Sequence, residues 1–284
     1  MAITIGGGIN SYRAMANMKK TSALMNKSLE RISSGLRINS ASDDAGGLAL
    51  GMKLSNDATV TSTIQQNVAN AKSFVDTQST ALQTASEILS EMKTLKTSHD
   101  SGTASVADKA GYESEFQELR TQLSMLTSEK YNGKALFGTA GTAETVNTSS
   151  DGGGGGVEIG GLDLEAVLGD LADPSNAGIR LNSITTNDLD EITDGDGSGS
   201  DGITQLIGKA AGDSSSLGFA SSYLESKAAN LEAARSRVMD ADIAEESINY
   251  SKYSMQYQAA AAALAQSNLT TEVVMDLLLS INRK

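Results

Sequence analysis

A pair of heptad repeats, one at each end of the sequence, constrains this chain more than any other feature. From Met15 the apolar positions run Met15, Met18, Met25, Leu29, Ile32 and Leu36, in alternating steps of three and four broken only by the polar Ser22. The far end repeats the pattern with Tyr250, Tyr253, Tyr257, Ala260, Leu264, Ser267, Thr271, Val274, Leu278 and Ile281. A period of 3.5 places a narrow apolar seam on a helix, and only another helix satisfies such a seam. Chain ends ordinarily fray, so seams placed there predict a partner. That partner is either the other terminus or a neighbouring molecule; the repeat does not distinguish them.

Charge adds to the pairing. Residues 1–40 carry Arg13, Lys19, Lys20, Lys27, Arg31 and Arg37 against Glu30 alone. Residues 238–284 carry Asp240, Asp242, Glu245, Glu246, Glu272 and Asp276 against Lys252, Arg283 and Lys284. Opposite signs on helices with matching seams favour association modestly, since each exposed ion pair contributes little. The net charge of −13 argues against nucleic acid as a partner, because phosphate binding needs a basic surface. Cysteine is absent, which excludes disulfides and thiolate chemistry. Tryptophan is absent and aromatics are 4% of the chain, so stability is expected from long helices with Ala, Leu, Met and Ile seams rather than from a large aromatic core. No apolar run approaches the roughly 18 residues of a membrane span, and no membrane insertion is expected. The start, Met-Ala-Ile-Thr-Ile-Gly-Gly-Gly, lacks the basic flank and apolar core of a secretory signal, so if the protein leaves the cell it is expected to use a route that cleaves none.

Between the ends the pattern stays helical, then breaks, then returns. A helix is predicted from about Val60 to Leu95, with seam positions Val60, Ile64, Asn67, Ala71, Phe74, Gln78, Ala81, Ala85, Ile88, Met92 and Leu95. At ~1.5 Å per residue it is roughly 50 Å long, which predicts a rod. His99-Asp-Ser-Gly102 ends it, and a second helix follows through Tyr112, Phe116, Leu119, Leu123 and Leu126, as in an antiparallel hairpin. Asn132-Gly133 marks a turn. From Phe137 to about Gly202 the chain is rich in Gly, Asp, Ser and Thr, with an unbroken Gly152–Gly156 run. The patches Val157–Ile159, Leu162–Leu164 and Ile179–Leu181 predict two or three strands in a small, exposed insertion that buries little. Helix returns near Asp201, with Ile203, Ala210, Leu217, Leu224, Leu231 and Val238 seven apart, and a last helix is predicted from about Asp242 to Ile281. The expected fold is mainly α: a long helical rod, or coiled-coil-like bundle, built from both chain ends, with a small Gly-rich, β-containing central insertion. Its expected parts are an N-terminal assembly helix (1–43), the N-terminal half of the rod (44–138), the insertion (139–201), the C-terminal half of the rod (202–240) and a C-terminal assembly helix (241–284).

Catalytic chemistry finds little support. His99 is the only histidine, so neither a histidine triad nor a multi-histidine metal site can be assembled. Gly152–Gly156 lacks the Lys and Ser/Thr of a phosphate loop. Asp194, Asp196 and Ser198, followed by Gly199, match the first half of a calcium loop, but Gln205 stands where the bidentate Glu belongs. No cofactor is expected.

Three stretches carry a family resemblance. Leu29-Glu-Arg-Ile-Ser-Ser-Gly-Leu-Arg-Ile-Asn-Ser-Ala-Ser-Asp-Asp-Ala-Gly-Gly-Leu48 resembles the N-terminal signature of bacterial flagellins. Tyr131-Asn-Gly-Lys-Ala-Leu136 is similar to that family's turn after its second core helix, and Asn230-Leu-Glu-Ala-Ala-Arg-Ser-Arg-Val-Met-Asp-Ala-Asp-Ile-Ala-Glu245, with Ala263-Leu-Ala-Gln-Ser-Asn268, to its C-terminal signature. The resemblance implies a non-enzymatic subunit of the extracellular flagellar filament used for swimming, exported through the flagellum's own type III channel. It implies terminal helices that are disordered in the free monomer and fold on polymerisation. It also implies as partners other copies of the chain, hook-associated and cap proteins, and a cytoplasmic chaperone on the C-terminal helix. The two alternatives are a hook–filament junction protein, which shares the terminal seams, and an adhesin on a helical stalk. The family's proline turn after the position of Asn268 is missing, so the last helix is expected to run on. On the surface that an animal innate-immune receptor reads in some flagellins, Leu95 and Glu115 keep the matching types but Glu91 replaces an Arg, so recognition is expected to be weak or absent.

Overall fold

The computed structural model describes residues 7–138, 143–149, 155–173, 176, 178–195 and 201–281, with side chains for all of these except 7–10, 270–271 and 274–281. The chain is mainly helical. Helix α1 spans Gly7–Ser34, α2 Ala45–His99 and α3 Val106–Thr127. Strands β1 (Lys130–Tyr131) and β2 (Lys134–Ala135) form one short hairpin, and β3 (Ala143–Asn147) and β4 (Gly156–Gly160) form another. The small helix α4 (Leu164–Leu168), a 3₁₀ turn (Gly169–Ala172) and α5 (Thr186–Asp194) lead to the long helices α6 (Ile203–Met239) and α7 (Ile243–Ile281). The last helix is continuous past Asn268, as the missing proline implies.

Two compact units share the chain. One comprises residues 1–56 and 230–284, the other residues 57–229. In the central unit α2 buries a wide stripe. Val68, Val75, Leu82 and Leu89 are as deep as the expected Ala85 and Met92, each of the four one residue beyond the expected Asn67, Phe74, Ala81 and Ile88. Of those four, Asn67 alone is exposed. A stripe this broad faces two neighbours rather than one. It packs with Phe116 and Leu123 of α3 and with Ile203, Ala210, Leu217 and Leu224 of α6, the predicted heptad row. Helix α2 also begins earlier than expected, running through Gly46 and Gly47.

The segment after Phe137 corrects the expectation that it buries little. Leu162, Leu164, Leu168, Leu171, Leu181 and Leu189 all lie in the same core. One strand pair forms here, β3 antiparallel to β4 with Val146 opposite Val157. The other two apolar patches are not strands. Asp163 caps α4 by accepting from the Ala166 amide at 2.8 Å, which turns Leu164 into a helical residue. Polar side chains of α2 and α3 take the backbone groups around Leu181: Glu113 accepts its N–H at 2.9 Å and Lys96 Nζ donates to its carbonyl at 2.7 Å. Arg120, fully buried, donates to the carbonyls of Asp170, Leu171, Asp173, Asn176 and Ile179. Burial pulls its pKa down, with Asp173, Glu113 and Asp170 opposing. A segment this poor in regular structure is therefore held by side-chain donors from the helices beneath it.

Candidate assembly surface

The terminal unit is built on α1 and α7, which run antiparallel. Ser11 Oγ lies 2.9 Å from Ser267 Oγ near one end, and Arg31 Nη1 donates to Glu246 Oε1 at 2.7 Å near the other. The opposite charges of the termini thus meet at Arg31 and Glu246, while Lys27 pairs with Asp43 in the following turn. Gly35 ends α1 at φ +71°, its amide bonded to the Arg31 carbonyl at 2.9 Å, the left-handed cap that glycine adopts without strain. The chain is then stitched to the α6–α7 junction. The Arg37 amide donates to the Met239 carbonyl at 2.6 Å, the Ala241 amide to the Gly35 carbonyl at 2.9 Å, and Arg37 Nη2 to the Val238 carbonyl at 2.8 Å. Ile38 is buried beside this stitch. Gly51 of α2 lies so close to Met239 that a Cβ there would sit 2.4 Å from Sδ. The two stretches with family resemblance, Leu29–Leu48 and Asn230–Glu245, are therefore bonded to each other.

Asp43 orders the connecting turn by accepting from the amides of Asn39 and Ser40, both at 3.2 Å. Its hydrogen bond from Lys27, then that from Asn39, hold its carboxyl well below the usual range.

With this geometry in place, the chain can be compared with known proteins. The family profile described as the bacterial flagellin N-terminal helical region matches residues 8–142, and that of the bacterial flagellin C-terminal helical region matches residues 201–278. The chain belongs to the bacterial flagellin family. Three relatives match over nearly their whole length. A flagellin of Halalkalibacterium halodurans is 29% identical over 263 residues, covering 89% of this chain and 91% of its own. The flagellin of Bacillus subtilis is 28% identical over 310 residues, covering 96% and 99%. The flagellar filament 33 kDa core protein of Treponema phagedenis is 25% identical over 287 residues, with the same coverage. This flagellin is accordingly a structural subunit of the extracellular filament, not an enzyme.

The expected seam residues fall into two classes. Met18, Met25 and Ile32 of α1 and Tyr250, Tyr253, Tyr257 and Leu264 of α7 are half-buried, as is Leu36 just beyond α1. Met15 and Leu29 are not covered: they remain 40% and 51% exposed. Their places against α7 are taken by neighbours one residue earlier, since Ser28 is buried and Ala14 half-buried, with Thr21 buried likewise beside Ser22. Small residues there let α1 approach the alanine-rich α7 closely. Val274, Leu278 and Ile281 have side chains outside the described residues.

Sequence periodicity missed Ile248, Met255 and Leu269, which stand 69%, 65% and 56% exposed on α7. Their spacing of seven, completed by Ala262, was the available signal. Of the candidate receptor residues, Glu91 and Glu115 are exposed, whereas Leu95 is buried in the core. Of the calcium candidates, Asp194 ends α5 and accepts from Thr204 Oγ1 at 3.3 Å, while Asp196 and Ser198 lie outside the described residues. No group of three or more metal-ligating side chains occurs among the described residues, and no described helix is long and apolar enough to cross a membrane.

Proposed function

We propose that α1 and α7 are the polymerisation elements of this flagellin, and that they order fully only when copies associate. One observation carries the reading: the α1–α7 pair leaves large apolar side chains uncovered on both helices, Met15 and Leu29 on one, Ile248, Met255 and Leu269 on the other. Burying them on neighbours gains ~25 cal/mol per Å² and offsets the entropy of fixing two long tails. The same apolar surface needs cover before export, which fits a cytoplasmic chaperone on α7. Hook-associated and cap proteins with matching seams fit the ends of the polymer. The test is circular dichroism of monomer against sedimented polymer. Helix content rises on assembly; equal helix content in both would sink the coupling.

A further inference from the structure

We propose that Asn132 is a site of hydrolytic modification gated by the β1–β2 hairpin. Closed, the turn keeps the asparagine intact; open, it lets the side chain cyclise onto the backbone and convert to aspartate or isoaspartate. Asn132-Gly133 is the only Asn-Gly step in the sequence. Glycine leaves its own amide nitrogen unshielded, since it has no side chain. Once solvent base has taken its proton, that nitrogen attacks Asn132 Cγ. The Cγ–N bond of the side-chain amide breaks, ammonia leaves with a proton from water, and a five-membered succinimide remains. Water then opens the ring. Addition at Cγ gives aspartate. Addition at the backbone carbonyl carbon gives isoaspartate, in which the main chain runs through the side chain's methylene. Water is the only co-reactant, and nothing is oxidised.

The closed hairpin forbids the first step. Lys130 pairs with Ala135 and Tyr131 with Lys134, so Asn132 and Gly133 are the whole loop, and both are exposed. Their φ angles are +50° and +81°, the two left-handed residues of a type I′ turn. In that turn ψ of the first residue is about +30°, which swings the Gly133 nitrogen to the far side of the Cα–C bond from the Asn132 side chain. The succinimide needs the two on the same side, so cyclisation waits for the turn to open. A hairpin of two short strands is marginal by itself, and a clamp on Phe74 holds this one shut. Tyr131 sets its ring edge-on to Phe74, with centroids 6.0 Å apart. Lys134 Nζ stands 5.8 Å from the centroid of the same ring and pairs with Glu144. Just outside the strands the Leu136 amide donates to the Glu129 carbonyl at 3.0 Å, and Gln78 Nε2 donates to the Leu136 carbonyl. The two products part when the hairpin closes again. Aspartate before glycine still suits a type I′ turn. Isoaspartate adds a methylene to a loop whose length sets the register, so that chain cannot re-form both strand pairs and the clamp stays off. Isoaspartate at this position therefore records how long the hairpin has stood open.

The test incubates the full chain at mildly alkaline pH with and without urea. Asn132 is followed by peptide mapping, isoaspartate is counted with an isoaspartyl methyltransferase, and the other asparagines serve as internal references. Conversion at Asn132 is expected to be at least about tenfold faster in urea and to outpace every other asparagine there. Asn132→Gln, whose longer side chain cannot close a five-membered ring, removes the signal. In buffer without urea, Tyr131→Ala/Lys134→Ala loosens the clamp and leaves Asn132-Gly133 as it is. It raises the rate at least about threefold while circular dichroism stays as in the parent. Glu144→Ala, a milder change at the exposed ion pair, moves the rate in the same direction and covers the case in which the double variant fails to fold. Equal rates with and without urea overturn the gate. An Asn132 that survives in urea while other asparagines convert overturns the site, and folded clamp variants no faster than the parent overturn the role given to Phe74.

Discussion

Arg120 is covered completely, yet apart from a bond to Gln117 its guanidinium donates to backbone carbonyls of the 170–179 segment. Its removal strands those acceptors away from water. Arg120→Met is expected to cost about 3 kcal/mol or more in urea unfolding, and Arg120→Lys an intermediate amount, because an ammonium lacks the planar fork. Gly51 is constrained by space rather than by φ. Gly51→Val drives its side chain into Met239 and should cost about 2 kcal/mol through overpacking; adding Met239→Ala should recover part of it. Asp43 has a folded-state pKa below its unfolded value, so its contribution is complete above about pH 4 and is lost as pH falls through the folded value. Hydrogen exchange at the Asn39 and Ser40 amides, corrected for intrinsic rate, should accelerate on acidification, and Asp43→Asn should abolish that dependence. None of these roles was legible in the sequence, because each depends on residues more than three positions away or on a partner's exact approach.

Among the elements, long helices were the legible part. Rows seven apart specify a helix and its buried side, and Ile203, Ala210, Leu217 and Leu224 are buried as their spacing requires. Periodicity gave the side only to within one residue, since a helix flanked by two neighbours buries positions on both edges of its seam. That is why Val68 and Val75 are deeper than Asn67 and Phe74, and why Ser28 displaces Leu29. The 137–194 stretch was misjudged for a different reason. Its glycines set the composition, but its leucines, spaced without period, bury themselves over α2, α3 and α6. Deleting residues 140–195 therefore removes Leu162, Leu164, Leu168, Leu171, Leu181 and Leu189 from the core that also holds Phe116, Leu123 and Leu217. It should lower the urea midpoint and expose dye-binding apolar surface, rather than leave a neutral scar.

At the level of the whole molecule the terminal and central units differ in charge. Residues 57–229 carry a net −15, while the terminal unit is close to neutral at +2. Association through the terminal unit therefore brings little like charge together. Removing residues 1–36 takes away α1 and one side of every terminal seam, and takes no residue from the central unit. The truncated chain should remain soluble and helical by circular dichroism and should fail to sediment as polymer at any concentration where the full chain does. The family assignment was readable at this scale because its signature residues serve the stitch between residues 35–37 and 239–241, where few alternatives fit. The partner of the seams was not readable, since a 3.5-residue period describes what a helix needs and not whose helix supplies it.

That stitch acts as a buckle. Arg37 and Val238 are 201 positions apart in sequence, yet joined by a hydrogen bond of 2.8 Å. Closing a loop costs only about 0.6 kcal/mol more each time its length doubles. Whatever lies between the two halves of the clasp can lengthen, shrink or be exchanged with little entropic penalty on the clasp itself. The buckle therefore tolerates changes of length in the middle of the chain, so long as the core that the intervening leucines fill stays filled.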